Sequence, residues 1–208
     1  MSELNLTHSN GNKVKLTTPD TLAANKTFKL PGADGSSGQA VVTDGSGALS
    51  FASMPSVAGI TMLDQWRITG DNNKTTGQTI DSNWERTDTL FAQIGTGMSE
   101  SSGIFTFPQT GIYLLMGQSQ MNGSASYAGI RIAASSNSGG SYSSVTEGYQ
   151  NMSTVGGYHH VTVHAIVDIT DASTFRVRLE AVNNASTQYS GSTNYFRNGL
   201  TFIRIGDT

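Results

Sequence analysis

Val161, Val163, Ala165, Val167 and Ile169 stand at every second position. A short turn at Ala172-Ser173 follows. Phe175, Val177, Leu179 and Ala181 then resume the same rhythm. A period of two buries one face of a strand and is incompatible with the 3.6-residue period of a helix. The rhythm recurs in Ile60–Thr69, Ile112–Met116, Tyr127–Ala133 and Leu200–Ile205. Between these runs stand turn signals such as Gly70-Asp-Asn-Asn73, Pro108-Gln-Thr-Gly111 and the polar stretch 135–142. No stretch keeps a helical period beyond two turns. The pattern predicts an all-β domain of about eight to ten strands over residues 59–208, a sandwich or jelly roll.

Residues 1–58 read differently. Ser9-Asn-Gly-Asn12 is a turn flanked by Leu4/Leu6 and Val14/Leu16, a hairpin signal. Asp34-Gly-Ser-Ser-Gly38 and Asp44-Gly-Ser-Gly47 repeat one kind of turn. The second lies between Gln39–Thr43 and Ala48–Phe51, a further hairpin. Isolated two-stranded hairpins are marginal in water. The segment also holds too few apolar residues for its own core. It reads as an extended β arm that other chains must order, with Val41, Val42, Leu49 and Phe51 as the residues packing between copies. Ser53–Gly59 reads as the linker.

Only 13% of the 208 residues are charged, about half the usual ~25%. Gly, Ser, Thr and Asn replace them, a composition common in secreted and virion-exposed β proteins. The net charge of −3 gives no electrostatic case for nucleic acid or an anionic membrane surface. The N-terminus lacks the basic and apolar regions of a signal peptide, so synthesis in a cytoplasm is expected. With no cysteine, disulfides and thiolate metal sites are excluded. No apolar run is long enough to insert into a bilayer.

The residues that carry chemistry elsewhere form no site pattern here. His160, Thr162 and His164 share one face of a strand, and three copies around an axis are a conceivable metal set. Hydrogen bonding at a subunit interface, or simple exposure to solvent, is the plainer reading. Asp34 and Asp44 lack the further carboxylates of a calcium loop and read as turn formers. Asp64, Asp81, Glu85, Asp88 and Glu100 show no spacing that singles out a catalytic pair. No Gly-x-Ser-x-Gly elbow occurs. The expectation is a non-enzymatic protein with no cofactor and no metal. Tyr142, Tyr149 and Tyr189 lie in Gly/Ser-rich stretches, where contact residues concentrate. They are the candidates for touching a host-surface glycan or another receptor.

Two resemblances sharpen this. Phe105-Thr-Phe-Pro-Gln-Thr-Gly111-Ile-Tyr113-Leu-Leu115 resembles the signature of the complement-type globular head, a module of the TNF-like jelly-roll superfamily. Phe105, Gly111 and Tyr113 match its pattern. Leu115 stands where that family prefers Phe, and Met98 and Gln93 depart from its upstream positions. Val167–Asp171, Phe175–Leu179 and Asn194–Phe202 resemble its later hairpin and closing strand. The resemblance covers roughly residues 60–206 and implies a ten-stranded jelly roll that forms a homotrimer. The arm, with Phe28-Lys-Leu-Pro31 and Thr43-Asp-Gly-Ser-Gly47, resembles segments of fibre and head-associated proteins in tailed phages of marine bacteria. That resemblance implies a virion structural protein, a trimeric head decoration or short fibre. Its partners would be the major capsid protein or tail proteins. A receptor-binding tail-fibre module is the alternative.

Overall fold

A computed structural model describes residues 3–17, 21, 23–53, 59–88, 90–152 and 156–208. Residues 54–58 of the expected linker, and Pro19 and Leu22 of the arm, lie outside the described residues. The chain divides into two compact units, residues 1–57 and 58–208.

In the first unit β1 (Glu3–Thr7) and β2 (Lys13–Thr17) form the hairpin expected around Asn10-Gly11. His8 N donates to Asn12 O at 2.8 Å and closes the turn. β3 (Gln39–Thr43) and β4 (Leu49–Ser53) form the second hairpin. Asp44 Oδ1 accepts from Ser46 N at 2.8 Å and Ala48 N at 3.0 Å, so this aspartate is the turn former the sequence predicts. Lys29 lies parallel to Ala48, with Lys29 N donating to Gly47 O and Leu49 N to Lys29 O, both at 2.9 Å. Gly47 is required for that approach: its φ is +102°, and a Cβ there would stand 2.3 Å from Thr27 O. Backbone pairing is thus complete in places, yet no side chain among residues 7–12, 21 and 23–53 is buried. Among these described residues the unit has strands and turns without a core.

The second unit is an antiparallel sandwich. It opens with β5 (Met62–Ile68), β6 (Asn72–Lys74), β7 (Trp84–Arg86), β8 (Ser99–Ser101), β9 (Ile104–Thr106) and β10 (Gly111–Gly123). It continues with β11 (Tyr127–Ser135), β12 (Ser143–Asn151), β13 (His159–Ile169), β14 (Arg176–Asn183), β15 (Thr187–Tyr189) and β16 (Gly199–Gly206). No helix occurs among the described residues. One sheet has seven strands in the order β6-β15-β10-β16-β5-β7, with β13 on the free side of β10. The other has five, β12-β11-β14-β9-β8. Consecutive β10 and β11 belong to opposite sheets, as do β13 and β14, so the chain crosses between layers as a jelly roll does.

The core between the sheets comes from the alternation read in the sequence. Tyr113, Leu115 and Met121 of β10, Ile130 and Ile132 of β11, Val177, Leu179 and Ala181 of β14, and Leu200 and Phe202 of β16 are fully enclosed. Phe105 is its aromatic centre. Its ring lies 5.0 Å from Trp84 and 5.8 Å from Trp66, both edge-on, and 5.2 Å from Phe202. Such pairs add about 0.5–1.5 kcal/mol each beyond area burial.

Charge is also buried. Asp64 occupies an inward position of β5, opposite Phe202, and is fully enclosed. Its carboxylate accepts from Arg86 Nε at 2.8 Å, Arg86 Nη2 at 3.1 Å, Trp66 Nε1 at 2.8 Å, Met98 N at 2.7 Å and Gln65 N at 2.9 Å. A buried carboxylate is tolerable only with its lone pairs satisfied in this way. The cluster ties β5 to β7 and to the segment before β8.

Candidate assembly surfaces

The outward face of the seven-stranded sheet follows from register. On β10 the inward residues alternate with Ile112, Leu114, Met116, Gln118 and Gln120; on β13 they alternate with His160, Thr162, His164, Ile166 and Asp168. Leu114 pairs with Ile166 on one side and Ile203 on the other, and Ile203 pairs with Leu63. An apolar row, Leu63–Ile203–Leu114–Ile166, therefore crosses four strands, a span of roughly 14 Å at one strand spacing per step. Met116, two residues along β10 from Leu114, continues the apolar surface. Ile166 is 65% exposed, with Met116 and Ile205 also open to solvent. The next row, Gln65–Thr201–Met116–His164, is mostly polar, and Gln65 Nε2 donates to Thr201 Oγ1 at 3.0 Å.

Beside the rows lies an open groove of ≈ 380 Å³, lined by Leu114, Met116, Gln118, Thr162, His164 and Phe196. Gln118 Nε2 donates to Phe196 O and holds the 190–198 loop over one end of it. This apolar row, with Ile166 at its exposed end, is a candidate interaction surface.

No protein-family model matches the sequence, and no curated protein sequence does. Solved structures do match the fold. The TNF protein Eiger of S. frugiperda superposes with a TM-score of 0.60 at 10% identity, covering 72% of this chain and 96% of that one. Murine APRIL crystallised at pH 8.5 superposes with a TM-score of 0.52 at 11% identity, covering 69% of this chain and 98% of that one. The head is a TNF-like jelly roll. The fold read from the Phe105–Leu115 resemblance is therefore the fold observed. The described head has twelve strands, β5–β16, two more than the ten expected.

On this TNF-like head the three tyrosines singled out in the sequence meet three different fates. Tyr149 is 59% exposed, its ring 5.4 Å from that of Tyr127. Tyr142 is half-buried, with the Arg178 guanidinium 3.7 Å over its ring; Arg178 Nε in turn donates to Glu180 Oε1 at 2.6 Å. Tyr189 is corrected outright: it is fully buried and offers no surface. It lies on β15 between Met121 and Asn72, and its hydroxyl donates to Gly129 O at 2.9 Å and accepts from Asn183 Nδ2 at 3.2 Å. Burial pushes this phenol up to about 12. The Ser/Gly residues after it suggested a loop, but Thr187-Gln188-Tyr189 pairs on both sides as a three-residue strand. Tyr158 and Tyr195 are the exposed tyrosines that the Gly/Ser criterion missed.

In the arm, Val41 and Phe51 face each other directly across β3 and β4, and Leu49 shares the face of Phe51. Val42 points to the opposite side, opposite Ser50. The four candidates thus occupy two faces, and Val41, Val42 and Phe51 are all exposed.

Proposed function

We propose that the protein is a non-enzymatic structural subunit of a tailed-phage particle, a homotrimeric head decoration or short fibre. The arm attaches it to capsid or tail proteins, and the TNF-like head is displayed. The observation that carries this reading is a pair of unfilled requirements. The arm forms paired strands with no buried side chain among residues 7–12, 21 and 23–53, and the head leaves the row Leu63–Ile203–Leu114–Ile166 half-buried, with Ile166 exposed. Copies of the same chain satisfy both at once. Three arms wound together bury Val41, Leu49 and Phe51, and three heads turned row-to-row bury Leu114, Ile166 and Ile203. At about 25 cal/mol per Å² of apolar area, a few such side chains per subunit contribute several kcal/mol.

The number three comes from the complement-type and TNF-like resemblance of Phe105–Leu115. The virion comes from the arm's resemblance to phage segments, and the chain would be made in the host cytoplasm and located in the particle. The role requires no catalytic step. Cryo-electron microscopy of source particles, with and without residues 1–58 of this protein, tests it. Three arms gripping shell or tail, lost on truncation, are expected. Particles that retain the truncated protein overturn the arm's assigned role.

A further inference from the structure

We propose that one end of the head binds neutral oligosaccharide, using the rings of Tyr158 and Tyr195. Both tyrosines flank the same end of β10. Met121 pairs with His159 on one side of that strand. On the other side Gln120 N donates to Arg197 O at 3.0 Å, and Ser190 N donates to Gln120 O at 2.9 Å. The two segments are therefore two strand spacings apart, roughly 10 Å. Tyr158 is 67% exposed and Tyr195 65%, the two most exposed aromatic residues among the described residues of the head.

The loop that carries Tyr195 is pinned. Ser192 N donates to Ile68 O at 2.9 Å, and Gly191 N to Asp71 Oδ1 at 2.8 Å. Ser192 Oγ accepts from Asn194 N at 3.2 Å and from Tyr195 N at 3.1 Å. Asn198 Nδ2 donates to Gln120 O at 2.8 Å and to Ser190 O at 2.7 Å. Gly191 lies so close to Gly70 that a Cβ would stand 2.4 Å from its backbone. The Arg197 guanidinium sits 5.7 Å from the centre of the Tyr195 ring. An aromatic ring held in water on a fixed loop is preorganised for a ligand, because little ordering remains to be done on binding.

The surroundings select the ligand class. Ser192, Thr193, Asn194 and His160 offer hydroxyl, amide and imidazole groups. These exchange hydrogen bonds with sugar hydroxyls while a ring stacks on the apolar face of a pyranose. One cation, Arg197, on a chain of net charge −3 does not suit a polyanion. Two separated rings in neutral polar surroundings also lack the continuous desolvated centre of a protein interface. This end lies away from the apolar row, since Gln120 is six strand residues from Leu114, about 20 Å along β10. The inference goes beyond the assembly role and holds wherever the protein is mounted.

The test uses the full chain and saturation-transfer NMR against neutral oligosaccharides derived from dextran, mannan and galactan, with heparin as the anionic comparison. Saturation is expected to reach at least one neutral saccharide. Tyr158→Ala and Tyr195→Ala should each weaken binding at least tenfold, with thermal unfolding unchanged. Tyr149→Ala, on the opposite sheet, should leave binding intact and serves as the control. Transfer to heparin alone, transfer to no neutral saccharide, or binding indifferent to both substitutions overturns the proposal. None of these results bears on whether the protein is part of a virion.

Discussion

Replacing Ile166 by aspartate should weaken the association of the subunits and leave each one folded. Ile166 points out of β13, opposite Leu114, and is 65% exposed in the single chain. Full burial of an isoleucine side chain is worth about 1.5–3 kcal/mol, so covering its exposed part contributes about 1–2 kcal/mol per subunit. Three symmetric copies then contribute about 3–6 kcal/mol, or roughly 10²–10⁴ in the trimer dissociation constant at 1.4 kcal/mol per tenfold. Aspartate forfeits this and adds a charge that an apolar contact cannot solvate, so the loss is a lower bound. Sedimentation velocity across a concentration series reads the shift, and circular dichroism reads the fold. Val145→Asp on the exposed face of β12 is the control, since that strand belongs to the other sheet. If Ile166→Asp sediments as the unaltered protein does, the apolar row is not a subunit contact and the reasoning fails.

Asp64→Asn keeps the shape but offers a single acceptor oxygen to five donors and leaves Arg86 without its counter-charge. A loss of about 3–5 kcal/mol is expected, read by chemical denaturation; a change under 1 kcal/mol would mean the cluster is not coupled to folding. The raised pKa of Tyr189 gives an alkaline dependence. An unfolded tyrosine loses its proton near 10 and the folded one near 12. The folded state thus holds the extra proton between these values, and stability falls as pH rises through them, by about 2–3 kcal/mol in full. Tyr189→Phe should flatten that slope while costing about 1–3 kcal/mol at neutral pH, because Gly129 O loses its buried donor. The double change Val41→Ser and Phe51→Ser removes the apolar pair across the arm hairpin. It should lower the thermal stability of the assembled protein and leave the head's own unfolding unmoved, as two-step calorimetry would show.

The long strands were legible because each repeats its own pattern locally. Val161–Ile169, Phe175–Ala181 and Leu200–Ile205 announce their buried faces without help from the rest of the chain. Both arm hairpins were legible for the same reason, since Asn10-Gly11 and Asp44-Gly45 fix turn and register together. Three-residue strands carry too short a pattern, so β15 passed as loop and Tyr189 as surface. The buried acid was also illegible: Asp64 and Arg86 are 22 residues apart, and only strand pairing makes them neighbours. The apolar row has the same origin. Leu63, Leu114, Ile166 and Ile203 come from four distant strands, and each alone reads as an ordinary outward apolar residue. The sequence therefore offered only the arm as a candidate place of assembly, and register adds an apolar row on the head as a second candidate.

Native mass spectrometry of the full chain tests the central claim most directly. One chain weighs 22.0 kDa. The account predicts a dominant species of three times that mass at micromolar concentration, reduced to single chains by Ile166→Asp combined with removal of residues 1–58. A single-chain mass for the unaltered protein across the whole concentration range would contradict it.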